Sequence, residues 1–159
     1  MSANGQERDA YVLFTLADAT YALATGVIQQ LDMVGAVTPV PNALPYVAGI
    51  VSVRGQVLPA LDLRARLGLP RGERTLRSRL LVVRTGERTV ALIVDSAREF
   101  AHIPADVLRA PPEAIGGRSR RYLRGVAPLG ERLVLVLDAG ALLADGEDTL
   151  PAQTRAAGA

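Results

Sequence analysis

Cysteine, tryptophan and lysine are all absent from the 159 residues, and histidine occurs once, at His102. Without cysteine there is no disulfide, no thiolate metal site and no thiol nucleophile. One imidazole leaves little from which to build a histidine metal cluster. Without lysine, a phosphate-binding loop of the usual Gly-Lys form cannot be made, and no G-x-G-x-x-G occurs either. Aromatic residues are only 4% of the chain, so the core has to be built from Val, Leu, Ile and Ala. Long apolar runs are missing although 49% of the residues are hydrophobic and the mean hydropathy is +0.21. The longest stretch without a strongly polar side chain lies near 43–51, far short of the ~20 residues a membrane span requires. The opening MSANGQERDA has no apolar h-region, so no secretory signal is expected. These absences point to a soluble protein with an aliphatic core and no membrane insertion.

All 18 basic residues are Arg; against 16 acidic residues they leave a net charge of +2. The pI near 9.5 arises because almost nothing titrates between the carboxylates and the guanidiniums. Zero Lys beside abundant Ala, Gly and Pro fits a GC-rich coding sequence, which concerns the host rather than any partner. A nucleic-acid binder should show a stronger and more localised excess. The one basic concentration is Arg118, Arg120, Arg121 and Arg124 with Tyr122, after Gly116-Gly117. It could grip phosphate with Tyr122 stacked on a base. The simpler reading is a solvated loop leading into a strand, diluted by Glu113 and Glu131.

Searches for catalytic patterns return nothing that assembles. The stretch 49–55 superficially resembles a nucleophile elbow, but two residues rather than one separate Ser52 from each flanking glycine. Its base would have to be His102, which reads as a partly exposed structural residue. Asp62 and Asp138 read as helix caps, Asp95 as a strand end, and Asp145, Glu147 and Asp148 as part of an acidic tail. No catalytic residue, metal ligand or cofactor is expected.

β-branched runs bounded by turn residues recur at 11–16, 21–24, 27–33, 50–53, 57–61, 80–83, 90–94, 122–127 and 133–137. That spacing predicts many short antiparallel strands in barrels or sandwiches. Asp18-Ala19 and Gly86-Glu87 are expected hairpin turns. Asp62 ahead of 63–67 with Gly68 behind, and Asp138 ahead of 139–144, predict two short capped helices. The order hairpin, connector, Arg-Gly, strand, Leu-Asp, helix occurs twice, with the Arg-Gly pairs 70 residues apart and the Leu-Asp pairs 76 apart. This predicts two similar β-subdomains packed on one shared core, with 1–9 and 145–159 as flexible tails.

The stretch PNALPYVAGIVSVRGQVLPALDLR, residues 41–64, resembles the signature of the CheW family, adaptors of bacterial chemosensory arrays. The pattern is a Pro-containing loop, an aromatic, Gly, apolar residues, an Asn-Leu-Arg-Gly turn, an apolar strand with Pro, and Asp-Leu-Arg. Phe14 with Tyr21, the run ending at Asp95, and Tyr122 through Gly125 and Gly130 to Leu137 follow in the family's order. The likeness therefore spans about 10–144. It implies a mainly β fold, two SH3-like five-stranded β-barrel subdomains around a shared hydrophobic core with short helices. The subdomains would take about 10–70 and 78–144, with exchange of end segments allowed. It further implies a non-enzymatic, cytoplasmic adaptor recruited to receptor arrays at the inner membrane face. Its partners would be the cytoplasmic tip of a methyl-accepting chemoreceptor and the regulatory domain of a CheA-type histidine kinase, with no nucleic acid. A same-fold adaptor of a pilus or other non-flagellar pathway is the alternative output.

Carried over position by position, the resemblance nominates Arg54 as the foremost partner contact, able to hold a carboxylate or carbonyls with a planar fork. Bracing of its own turn is the competing role. Gly49 and Gly55 match family glycines, and Ile28 and Gln30 share one face of the strand that in the family meets its partners. Ser52 and Val53 replace the Asn and Leu of the signature turn, Gln30 stands where many members carry Glu, and the loop Pro is displaced by one position.

Overall fold

A computed structural model describes residues 9–115 and 120–144. The expected runs become β1 (Ala10–Leu16), β2 (Ala19–Ala24), β3 (Ile28–Met33), β4 (Val47–Val53), β5 (Gln56–Asp62), β6 (Arg79–Thr85), β7 (Arg88–Val94), β9 (Leu123–Leu129) and β10 (Arg132–Leu137). One further strand, β8 (Ser96–His102), was not among them. Its sequence, SAREFAH, has neither alternation nor β-branching; it is a strand because it pairs antiparallel with β1. The expected tails fall outside the described residues except for Asp9, as do the acidic cluster from Asp145 onward and Arg118.

Two short helices end the two halves as the caps require. In α1 (Leu63–Arg66) the Ala65 N–H donates to Asp62 Oδ1 at 3.3 Å, and in α2 (Ala139–Ala144) the Ala141 N–H donates to Asp138 Oδ1 at 3.1 Å. Gly68, at φ 81°, closes α1. The first hairpin turns at Ala17-Asp18, one residue earlier than expected, because Leu16 pairs with Ala19.

The strands form two five-stranded sheets, β8-β1-β2-β10-β9 and β3-β6-β7-β5-β4. The orders correspond element for element, so the duplication is real. The sheets do not follow the sequence halves, however. The β1–β2 hairpin joins β8, β9 and β10, while the β6–β7 hairpin joins β3, β4 and β5. Where the halves meet, β2 runs parallel to β10 and β7 parallel to β5, so the sheets are not antiparallel throughout. The fold is SH3-like, but among the described residues the edge strands of each sheet do not pair with each other. The edges β4 and β9 are met instead by single bridges from the preceding loops, Thr38 to Ile50 and Arg109 to Val126.

The structure also corrects the register of the duplication. Tyr46 and Tyr122, Gly49 and Gly125, and Asp62 and Asp138 are each 76 residues apart. They repeat one geometry: the Asp62 N–H donates to the Tyr46 carbonyl and the Asp138 N–H to the Tyr122 carbonyl, both at 2.8 Å. The Arg-Gly pairs are not equivalent, since Arg54-Gly55 makes a hairpin turn and Arg124-Gly125 lies within β9. The counterpart of Arg54 is Gly130.

Alternation along the strands divides the apolar residues into three cores. One sheet folds around Tyr11, Leu13, Ala22, Ile103, Val134 and Val136, and the other around Val51, Val53, Leu58, Leu80, Val82 and Ile93. Their opposite faces meet in a third and larger core. There Phe14, Leu16 and Leu23 pack with Leu81, Val83 and Leu92, roofed by Leu63, Leu67, Leu142 and Leu143 of the helices. Each such fully buried side chain contributes about 1.5–3 kcal/mol, so the shared core binds the two sheets into one cooperative unit.

Candidate docking surface

The β4–β5 hairpin is closed by Arg54 at φ 50° and Gly55 at φ 82°, the positive pair of a two-residue type I′ turn. Each described two-residue hairpin opens on a residue with positive φ: Ala17 at 55°, Arg54 at 50°, Gly86 at 60° and Gly130 at 61°. Two of these are glycine, including the counterpart of Arg54. A side chain in that region costs roughly 1–2 kcal/mol over glycine. The Arg54 guanidinium recovers none of this locally, because it makes no hydrogen bond or ion pair with any described residue. It does not brace its turn; it is exposed at the hairpin tip.

Gly49 and Gly55 differ in what they require. At Gly49, φ is 151° and an added Cβ would lie 2.1 Å from the Thr38 carbonyl oxygen, so glycine is what lets the Thr38 bridge close on the β4 edge. Its counterpart Gly125 is hemmed in the same way, 2.7 Å from the Arg109 carbonyl oxygen. Gly55 faces open space and is needed only for its φ.

On β3, Ile28, Gln30 and Asp32 share the half-buried face, with Ile28 against the shared core. The Gln30 amide donates to the Asp32 carboxylate. The alternate residues, Gln29, Leu31 and Met33, carry the exposed face. β3 and β4 are opposite edges of one sheet, so the five nominated residues share a subdomain without forming one cluster.

Sequence reasoning missed an apolar pair that only the corrected register reveals. Val57, on β5 beside the Arg54 turn, is 65% exposed, and Leu133, its counterpart 76 residues on, is 64% exposed. Val57 lies opposite Ser52, and Leu133 opposite the exposed Pro128. The same surface thus occurs twice, once with an arginine beside it and once with a glycine.

Asp95 also does more than end a strand. Arg64 grips it with both Nε, at 3.0 and 3.1 Å to the two oxygens, and Nη2, at 2.5 Å, while its Oδ2 accepts the Ala17 N–H at 2.7 Å. The hydrogen bond to Asp95 lifts the Arg64 pKa above the ordinary guanidinium range. The contact ties α1, which follows one sheet, to the first hairpin of the other.

Among the described residues, the Ser52–His102 pair and a Tyr122 stacking platform are not assembled. Ser52 and His102 lie in different sheets. Among the described residues no group of three or more His, Asp or Glu could hold a metal. Tyr122 is 2% exposed and so offers no stacking platform, and Arg120 donates to the carbonyls of Pro111, Pro112 and Ile115. No described helix is long and apolar enough to cross a membrane.

A profile of the CheW-like domain matches residues 10–147. The chain belongs to the CheW-like domain family. It is 30% identical to the chemotaxis protein CheW of Klebsiella aerogenes over 149 residues, covering 92% of this chain and 86% of that one. It is 27% identical to the chemotaxis protein CheW of Bacillus subtilis, covering 90% and 92%, and 28% identical to protein FrzA of Myxococcus xanthus, covering 79% and 78%. The crystal structure of the scaffolding protein TtCheW from Thermoanaerobacter tengcongensis shares the fold, with a TM-score of 0.75 at 23% identity over 82% of this chain and 89% of that one.

Proposed function

We propose that this chain is a chemotaxis adaptor that joins the cytoplasmic tip of a methyl-accepting chemoreceptor to the regulatory domain of a CheA-type histidine kinase. It would sit with the receptor array at the cytoplasmic face of the inner membrane and perform no chemistry of its own. The observation that carries the reading is Arg54, whose guanidinium has no hydrogen-bond or ion-pair partner among the described residues and is displayed at positive φ where the duplicated turn has Gly130. Strain kept at an exposed position without local compensation points to a use outside the chain. Gly49 and Gly55 hold the hairpin that presents it, and Val57 and Leu133 supply one apolar contact on each sheet. Ile28 and Gln30 orient β3, whose outward residues Leu31 and Met33 meet the partner. Two similar faces let one molecule hold two partners, and avidity in an array strengthens contacts that are weak singly. Differential contact with two receptor arrangements is enough to shift the kinase equilibrium.

The test is Arg54→Gly, which copies the duplicated turn. Stability should be unchanged or higher by up to about 1 kcal/mol, because strain is relieved. Co-sedimentation of kinase with receptor-bearing membranes should fall severalfold. Undiminished co-sedimentation of both partners would remove Arg54 from the docking surface.

A further inference from the structure

A cleft of about 360 Å³ opens between the β1–β2 turn and the start of β8, away from the Arg54 hairpin. Arg77, Arg98 and Arg132 line it, together with Asp18 and Glu99. Arg132 is engaged: its Nη2 donates to Glu99 Oε2 at 2.7 Å and its Nη1 to Oε1 at 3.2 Å, which holds the Glu99 carboxyl below its usual range. The Arg77 and Arg98 side chains, both exposed, make no hydrogen bond or ion pair with any described residue. On the cleft wall the Thr15 and Ser96 hydroxyls bond each other at 2.7 Å. Leu76, next to Arg77 in the loop, is 86% exposed, more than any other large apolar residue described.

We propose that this cleft receives an acidic segment of a partner protein, one carboxylate side chain reaching Arg77 and Arg98 while an adjoining apolar residue covers Leu76. Charge complementarity selects this occupant. Two open guanidinia form charge-assisted, bidentate contacts with a carboxylate. Three guanidinia against two carboxylates leave the cleft one positive charge, matched by a monoanion; a dianionic phosphate would face Asp18 and Glu99 with that surplus exceeded. The proposal rests on the adaptor reading and adds a contact of stated chemistry to it.

The probe is a capped peptide alternating glutamate with leucine, titrated into the ¹⁵N-labelled full chain at low salt and followed on the arginine Nε–Hε signals. The Arg77 and Arg98 signals should shift and saturate, and the R77E/R98E variant, with an unchanged melting curve, should lose at least about tenfold in affinity. R77K/R98K should retain part of the binding, since charge survives without the fork. Silence of both signals through the millimolar range would overturn the proposal. So would equal shifts from a lysine–leucine peptide, or saturation by inorganic phosphate in preference to the peptide. Capture of kinase and receptor by the same sample separates the two readings: capture with a silent peptide overturns the cleft alone, and peptide binding without capture overturns the adaptor reading while the carboxylate specificity stands.

Discussion

Glycines 49 and 55 are six residues apart in one hairpin, yet a methyl group should be felt very differently at each. At Gly49 the new Cβ meets a backbone oxygen at 2.1 Å, and neither the bridge nor the strand can move without breaking Thr38–Ile50 pairing. Gly49→Ala should therefore cost about 2–3 kcal/mol, a fall in melting temperature of about 5–10 °C for a chain of this size. At Gly55 nothing lies within 4 Å, and Gly55→Ala should cost only about 1 kcal/mol, from φ alone. Equal losses in thermal melts of the two variants would refute the close approach of Thr38. The sequence shows both glycines alike, beside apolar residues in a recognisable signature. What separates them is a loop carbonyl more than ten positions upstream, which no local pattern records. Arg54 was nominated by its place in the signature, but its strain became visible only with φ, because an Arg-Gly dipeptide does not announce a type I′ turn as Asn-Gly does.

Among the elements, most strands and both helices were legible because their signals are local: β-branched runs, a capping Asp, a closing Gly. β8 was not, since Arg98, Glu99 and Phe100 are all exposed and its pairing with β1 supplies what its side chains lack. The duplication was legible in outline and mis-set by a chance dipeptide, whereas the uniform spacing of Tyr, Gly and Asp carries it. The corrected register also explains α1. Arg66, 5% exposed, lies with its guanidinium 4.4 Å from the Tyr46 ring and 5.0 Å from the Tyr122 ring, and its Nη2 donates to the Leu142 carbonyl at 3.2 Å. Tyr46 and Tyr122 are counterparts, and so are Arg66 and Leu142, so one side chain joins equivalent positions of both halves. Arg66→Ala should cost about 2–4 kcal/mol through lost packing and cation–π contact. Arg66→Met should fall between, because it fills the volume without the charge; Leu142 shows that an apolar side chain suits the equivalent position. Urea titrations of the two variants check this, and an Arg66→Ala midpoint equal to that of the parent chain would reject the clasp.

For the whole molecule, the strand exchange decides how the chain folds. Cutting between Glu73 and Arg74, in an exposed loop, leaves one fragment with β1 to β5 and α1 and another with β6 to β10 and α2. By sequence each looks like a complete copy of the repeat, and the duplication itself predicts only that the two copies share a core. By topology neither holds a whole sheet: the first has only β1 and β2 of one sheet and lacks the β6–β7 centre of the other. The parallel pairs β2–β10 and β5–β7 then cannot form, and Phe14, Leu16, Leu61 and Leu63 lose Leu81, Leu92, Leu142 and Leu143 across the shared core. Fragments 1–73 and 74–159 should each lack a cooperative thermal transition alone. Mixed at equal concentration, they should regain native-like β circular dichroism and a single transition whose midpoint rises with concentration, as mass action requires of a two-chain assembly. A cooperative transition in fragment 1–73 by itself would show that the sheets need not be shared. Reconstitution would instead establish that the exposed patches at Val57 and Leu133 belong to one body, in which a load on either sheet is carried through a common core.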